Sequence, residues 1–172
     1  MKMRYTYIIA LLFVLGVFSS CDRDDPDVEM TAVGDMAGEW YVTYQVQTGS
    51  GTPEPFAGGY HQHLTYNTAG NTDSMFVDEF GTIALSQTNT FHYKTAVGIN
   101  RADRTFSTQN NLNLYDNNSV TINNGKVIIG GGRSRSGVKT DSIYYEVSLS
   151  DRPDTTFIVS GHRRTGFEED EF

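Results

Sequence analysis

The sequence predicts an all-β fold, an eight-stranded antiparallel barrel, and three observations carry the prediction. Short runs that alternate apolar with polar residues recur along the chain, with Gly, Asn, Asp and Pro between them. The runs are rich in β-branched and aromatic residues, the types that fit a pleated, half-buried surface. No long helical period, internal repeat or low-complexity tract competes with this reading. Eight strands closed into an up-and-down barrel leave an interior just wide enough for side chains or one small guest.

The chain opens on a targeting segment, residues 1–20. Lys2 and Arg4 form a basic start, and residues 8–18 are apolar. That run suits a signal peptide and is too short for the ~20 residues that span a bilayer. It ends at Phe18-Ser19-Ser20-Cys21, small residues before a cysteine, which is the pattern of a lipoprotein signal. Cys21 is the single cysteine, so the expectation is a thiol kept for lipid, with no intrachain disulfide. Residues 21–32, beginning Asp22-Arg23-Asp24-Asp25, read as a solvated acidic tether behind that membrane anchor.

Residues 33–172 are one domain's worth of chain, long enough to bury ~70% of their unfolded surface without metal or disulfide. The whole chain holds 13 basic and 21 acidic residues. Without Lys2 and Arg4 the processed form carries 11 − 21 = −10 charges. This sign disfavours nucleic acid and anionic membrane surfaces as partners.

The strands follow in order. In 37–46, Trp40, Val42, Tyr44 and Val46 share one face and Thr43 and Gln45 the other. A loop is expected over 48–55 and a second strand over 60–68. Residues 74–78 and 82–86 read as a hairpin turning at Glu79-Phe80-Gly81, and 90–99 as the next strand. Asn124-Gly125 between two β-branched runs is the preferred type I′ signal, so a hairpin turn is expected there. Residues 143–149 alternate cleanly, and Asp151-Arg152-Pro153-Asp154 separates them from a final strand over 156–159. Tyr44, Phe76, Phe91, Tyr93, Tyr145 and Phe157 fall in the inward phase and are the candidates to line a cavity that takes an amphipathic molecule.

Gly38-Glu39-Trp40 at the first strand, Thr65-Tyr66-Asn67-Thr68-Ala69 with Asn71-Thr72-Asp73, and Gly161-His162-Arg163-Arg164-Thr165-Gly166-Phe167 occur in this order. Together they resemble the lipocalin-like "lipid-binding putative hydrolase" lipoproteins of Gram-negative bacteria. The resemblance implies a lipocalin-like barrel with a lipid-like ligand and an outer-membrane lipoprotein, on its periplasmic or cell-surface face. It also implies an arginine packed over the first-strand tryptophan. Arg163 is the residue in phase to meet Trp40, with Arg164 pointing the other way.

No residues support the hydrolase half of that name by themselves. The nearest approach to Gly-x-Ser-x-Gly is Gly132-Arg133-Ser134-Arg135-Ser136, in a Gly-rich turn region. Asp78-Glu79 and Glu168-Glu169-Asp170 are expected in turn or tail positions, which suit solvated faces. His61 and His63 share a strand face and reach one metal only if His92 or His162 joins them, so no metal site and no cofactor is expected. Three readings follow: an envelope carrier of a small apolar or amphipathic ligand, an accessory subunit of an envelope complex with a protein partner and no ligand, and a hydrolase.

Overall fold

The computed structural model describes residues 31–85 and 90–172. The signal segment, Cys21 and most of the tether lie outside the described residues. Eight strands form: β1 Gly38–Thr48, β2 Glu54–Asn67, β3 Ser74–Ala84, β4 Thr90–Asn100, β5 Thr105–Leu112, β6 Ser119–Arg133, β7 Lys139–Leu149 and β8 Thr155–Arg163. Each pairs antiparallel with the next, and β8 returns to β1 in a ladder from Trp40↔Arg163 to Thr48↔Thr155. The sheet is a closed barrel in sequence order, as expected. Closure leaves no edge strand open to pair with another chain.

The strands are divided differently from the sequence reading. The chain does not turn at Glu79-Phe80-Gly81. β3 runs through, with extra residues bulged between Glu79↔Tyr93 and Ile83↔Phe91. A bulge and a turn draw on the same residues, because both need a local departure from the ladder. Asp78 and Glu79 are therefore strand residues, both buried and on opposite faces. The Asn124-Gly125 hairpin is also overturned. β6 continues to Arg133, and the register against β7 shifts between Asn123 and Lys126. Asn124 takes a positive φ of 54°, but Gly125 serves a close approach. A Cβ there would run into the ring and carbonyl of Phe106.

The strand to which the sequence reading gave no bounds is β5. Its sequence TFSTQNNL buries only Phe106 among its side chains, so it carries no apolar alternation. It pairs with β4 only from Gly98↔Ser107 to Asn100↔Thr105. Past that point side-chain amides replace the ladder. Asn111 Nδ2 donates to the Ala96 carbonyl at 2.8 Å, and Asn113 Oδ1 accepts the Lys94 N–H at 3.1 Å. Tyr115 then donates to Asp78 at 2.7 Å from one side and Tyr66 at 2.6 Å from the other, fastening the β5–β6 connection over the outer face.

Residues 165–172 fold back over the outside of the β1–β8 seam. Tyr41 donates to Glu171, and Arg164 holds Glu171 at 2.8 Å and Glu39 at 2.6 Å. Asp170 accepts the Ser136 N–H at 2.6 Å and the Thr165 hydroxyl at 2.7 Å. Phe172 stacks on Tyr60 and Tyr41 with centroids 4.3 and 4.9 Å away. This tail covers His162, whose side chain points out of the barrel.

Candidate functional site

The two ends of the barrel are built differently. At the end where β1 begins, the Arg163 guanidinium lies 4.5 Å from the Trp40 ring centroid. It crosses the backbone at Gly38, where any side chain would collide with it. The guanidinium donates to Asp141 at 3.0 Å and to the carbonyls of Ala37 and Asp35. Trp40 Nε1 donates to the Thr65 hydroxyl at 2.8 Å, which donates to the Met36 carbonyl at 2.6 Å. Main chain, indole and guanidinium together seal this end.

Toward the opposite end the described interior is dominated by rings, with Val46, Leu85 and Leu149 packed around them. Phe56, Phe91 and Phe157 form a cluster with centroids 4.6 to 5.6 Å apart. Phe56 is only half-buried and belongs to the irregular first part of β2. There Ala57, Gly58 and Gly59 all take positive φ, and the register against β1 jumps between Val42↔His61 and Tyr44↔Phe56.

Between the two ends lies a polar layer. Tyr44 donates to Glu79 Oε2 at 2.9 Å, and the Gly81 N–H reaches Glu79 Oε1 at 3.2 Å. The Tyr93 and Tyr145 hydroxyls are 2.6 Å apart, and Tyr145 is 3.0 Å from His63 Nε2. His63, Glu79, Tyr93 and Tyr145 are each 0% exposed, so no hydrated void borders them and side chains fill the layer. Burial lowers the His63 imidazole to about 3, which keeps it neutral at pH 7. Burial likewise pushes the phenols of Tyr44, Tyr93 and Tyr145 well above 10.

The structure thus places Tyr44, Phe91, Tyr93, Tyr145 and Phe157 inside the barrel. Phe76 is a correction. It sits on the outer face of β3 beside Tyr66, with Lys94 Nζ 5.0 Å from its ring centroid. The inward residues of β3 are Met75, Val77, Glu79 and, past the bulge, Ile83. His63, Glu79 and Phe56 belong to the interior and were absent from the sequence candidates. The alternation His61, His63, Thr65 was the available signal for His63. Glu79 gave none, because its neighbours imitate a turn.

The histidines do not gather. His61 meets Tyr44 near the ring-closed end, His92 pairs with Asp116 at 3.1 Å outside, and His162 lies under the tail. Among the described residues no group of three or more His, Cys, Asp or Glu side chains is arranged to hold a metal. Ser134 bonds to Ser136 at 3.2 Å and accepts the Val138 N–H at 3.1 Å, as part of the β6–β7 turn.

A family model described as "lipid-binding putative hydrolase" matches residues 25–168. The chain belongs to this family. The match spans the whole barrel, from before Trp40 to the segment after Arg163, so both ends and the layer between them fall within it. No curated protein matches the chain significantly. The family's description names lipid binding.

Proposed function

We propose that this protein is an outer-membrane lipoprotein, anchored through a lipidated Cys21, whose barrel takes up a small apolar or amphipathic ligand. The observation that carries the reading is the contrast between the ends. One is sealed by Trp40, Arg163 and main chain, whereas among the described residues the other is filled by apolar side chains, with Phe56, Phe91 and Phe157 at the centre. Phe56 sits on the glycine-interrupted part of β2, so its outward swing opens a path to an interior already lined with rings.

An acyl chain that buries ~300 Å² gains roughly 7 kcal/mol at about 25 cal/mol per Å². Association costs of several kcal/mol leave an affinity in the micromolar range. Titration with an uncharged fluorescent naphthylamine tests this. Wild-type protein is expected to bind it at micromolar concentration, and Phe56→Ala to bind it several-fold faster. A filled interior also favours a second reading, an accessory subunit without a ligand. If neither protein binds any apolar probe, that second reading replaces the carrier. For the anchor, Cys21→Ala is expected to remain uncleaved or leave the membrane fraction; a processed variant still in membranes would refute it.

A further inference from the structure

On the outside of the barrel, β4 and the β5–β6 connection bring a hydroxyl, an imidazole and a carboxylate into contact. Thr90 and His92 alternate with the inward Phe91 and Tyr93, so they share the outer face of β4. The Thr90 hydroxyl is 2.7 Å from His92 Nδ1, and His92 Nε2 is 3.1 Å from Asp116 Oδ2. A carboxylate only accepts hydrogen bonds. In the neutral ring, therefore, Nε2 carries the proton, Nδ1 accepts, and Thr90 donates. An imidazole so placed can take the proton of a nucleophilic hydroxyl while the carboxylate holds its tautomer. The two ring nitrogens exchange roles relative to a serine protease, and the proton path is the same.

The connection that carries Asp116 is fixed to the strand that carries the other two. Asn113 Oδ1 accepts the N–H groups of Lys94 and Tyr115, both at 3.1 Å. The Leu114 N–H reaches the Lys94 carbonyl at 2.8 Å, and the Tyr115 ring packs edge-on against His92. Thr90, His92 and Asp116 line a pocket of about 340 Å³ together with Asp151 and Arg152 of the β7–β8 turn. Arg152 Nε is buried without a hydrogen-bond partner among the described residues.

We propose that Thr90, His92 and Asp116 form an esterase site for small, uncharged carboxylic esters. The site lies outside the barrel interior and does not rest on the carrier reading. Thr90 Oγ bonds to the ester carbonyl carbon as its proton passes to His92 Nδ1. The Arg152 guanidinium is the cation available to the carbonyl oxygen as negative charge gathers there. The bond to the alcohol oxygen then breaks, and that oxygen takes the proton from Nδ1, leaving the acyl group on Thr90. Water repeats the exchange: its proton goes to Nδ1, its oxygen bonds to the acyl carbon, and Thr90 leaves with the proton. Ester and water become acid and alcohol, and the protein is restored. Asp116 touches no substrate; it is a positioning residue that keeps Nδ1 an acceptor. Two carboxylates, Asp116 and Asp151, stand against one cation in the lining, which disfavours an anionic ester. A pocket of this size suits a short acyl group.

Hydrolysis of p-nitrophenyl acetate by the purified protein tests this, with the protein quenched during turnover and mapped peptide by peptide. Wild-type protein is expected to turn the ester over and to carry acetyl on Thr90. Thr90→Val, nearly isosteric, and His92→Gln are each expected to lower kcat at least ~100-fold, whereas Thr90→Ser keeps it. Added imidazole should restore part of the rate to His92→Gln, which a merely structural histidine would not allow. Asp116→Asn should lower kcat several-fold at unchanged KM, and Asp116→Glu should recover part of the loss. Near-ultraviolet circular dichroism verifies that each variant is folded, and the acetyl map of the wild-type protein decides alone if Thr90→Val is not. Turnover that survives Thr90→Val overturns the site. So does acetyl on lysine or tyrosine with none on Thr90, and so does an ester that is never cleaved. None of these results touches the carrier reading, which stands or falls with the apolar probe.

Discussion

At the scale of single residues, Arg163 and Arg164 are neighbours with opposite fates. Arg163 continues the inward phase of Phe157, Val159 and Gly161, lies over Trp40 and satisfies Asp141 and two carbonyls. A partly desolvated cation–π contact contributes about 1–2 kcal/mol, and stranding its part-buried acceptors adds about 1 kcal/mol. Arg163→Ala is therefore expected to cost about 3 kcal/mol, read as a lower denaturant midpoint. Arg164, at the solvent side with Glu39 and Glu171, should cost less. Equal losses would refute the seal. This pair was legible because period-two phase and a matching motif agree. The same phase argument failed at Phe76, since β3 puts Met75 and Val77 inside and no residue before them fixes which alternate is inward.

At the scale of elements, the sequence reading expected about eight strands but split β3 and β6 at their bulges. Asn124-Gly125 and Phe80-Gly81 have the chemistry of turns, and a single sequence does not say whether the chain reverses or merely bends. β5 was illegible for another reason. A strand held by Asn111, Asn113 and one buried Phe106 has no hydrophobic alternation to read. The bulge at Gly125 makes a prediction that a turn does not. Gly125→Ala should cost about 2 kcal/mol by overpacking against Phe106, a Tm lower by roughly 4–8 °C. In a Phe106→Ala background the same substitution should cost much less, because the clash partner is gone. Additive losses in the double variant would mean that backbone conformation, not Phe106, requires the glycine.

At the scale of the whole molecule, the buried imidazole ties stability to pH. His63 titrates near 3 in the folded protein and near 6.5 when unfolded. Between these values the unfolded chain binds the extra proton, so stability falls as pH drops below 6.5. By pH 5 the loss is about 2 kcal/mol from His63 alone. His162, also lowered by burial, contributes in the same window and direction. Tyr41 and Arg164 hold Glu171 below its ordinary range, so the tail loosens only on further acidification, below the usual carboxylate range. Denaturant titrations at pH 7 and 5 should show the loss, and His63→Gln should remove most of it; an unchanged loss in that variant would place the proton elsewhere.

The seam between β1 and β8 has a consequence in time. It joins Ala37 to Arg163, 126 positions apart, and the tail then staples Tyr41 to Glu171, 130 apart. Contacts this distant in sequence make folding slow. Neither seam nor staple can form until both β1 and the segment around β8 have been made. Until then β1 has only β2 to pair with, so the ring closes last, and the hairpins formed before it wait on that single long-range step.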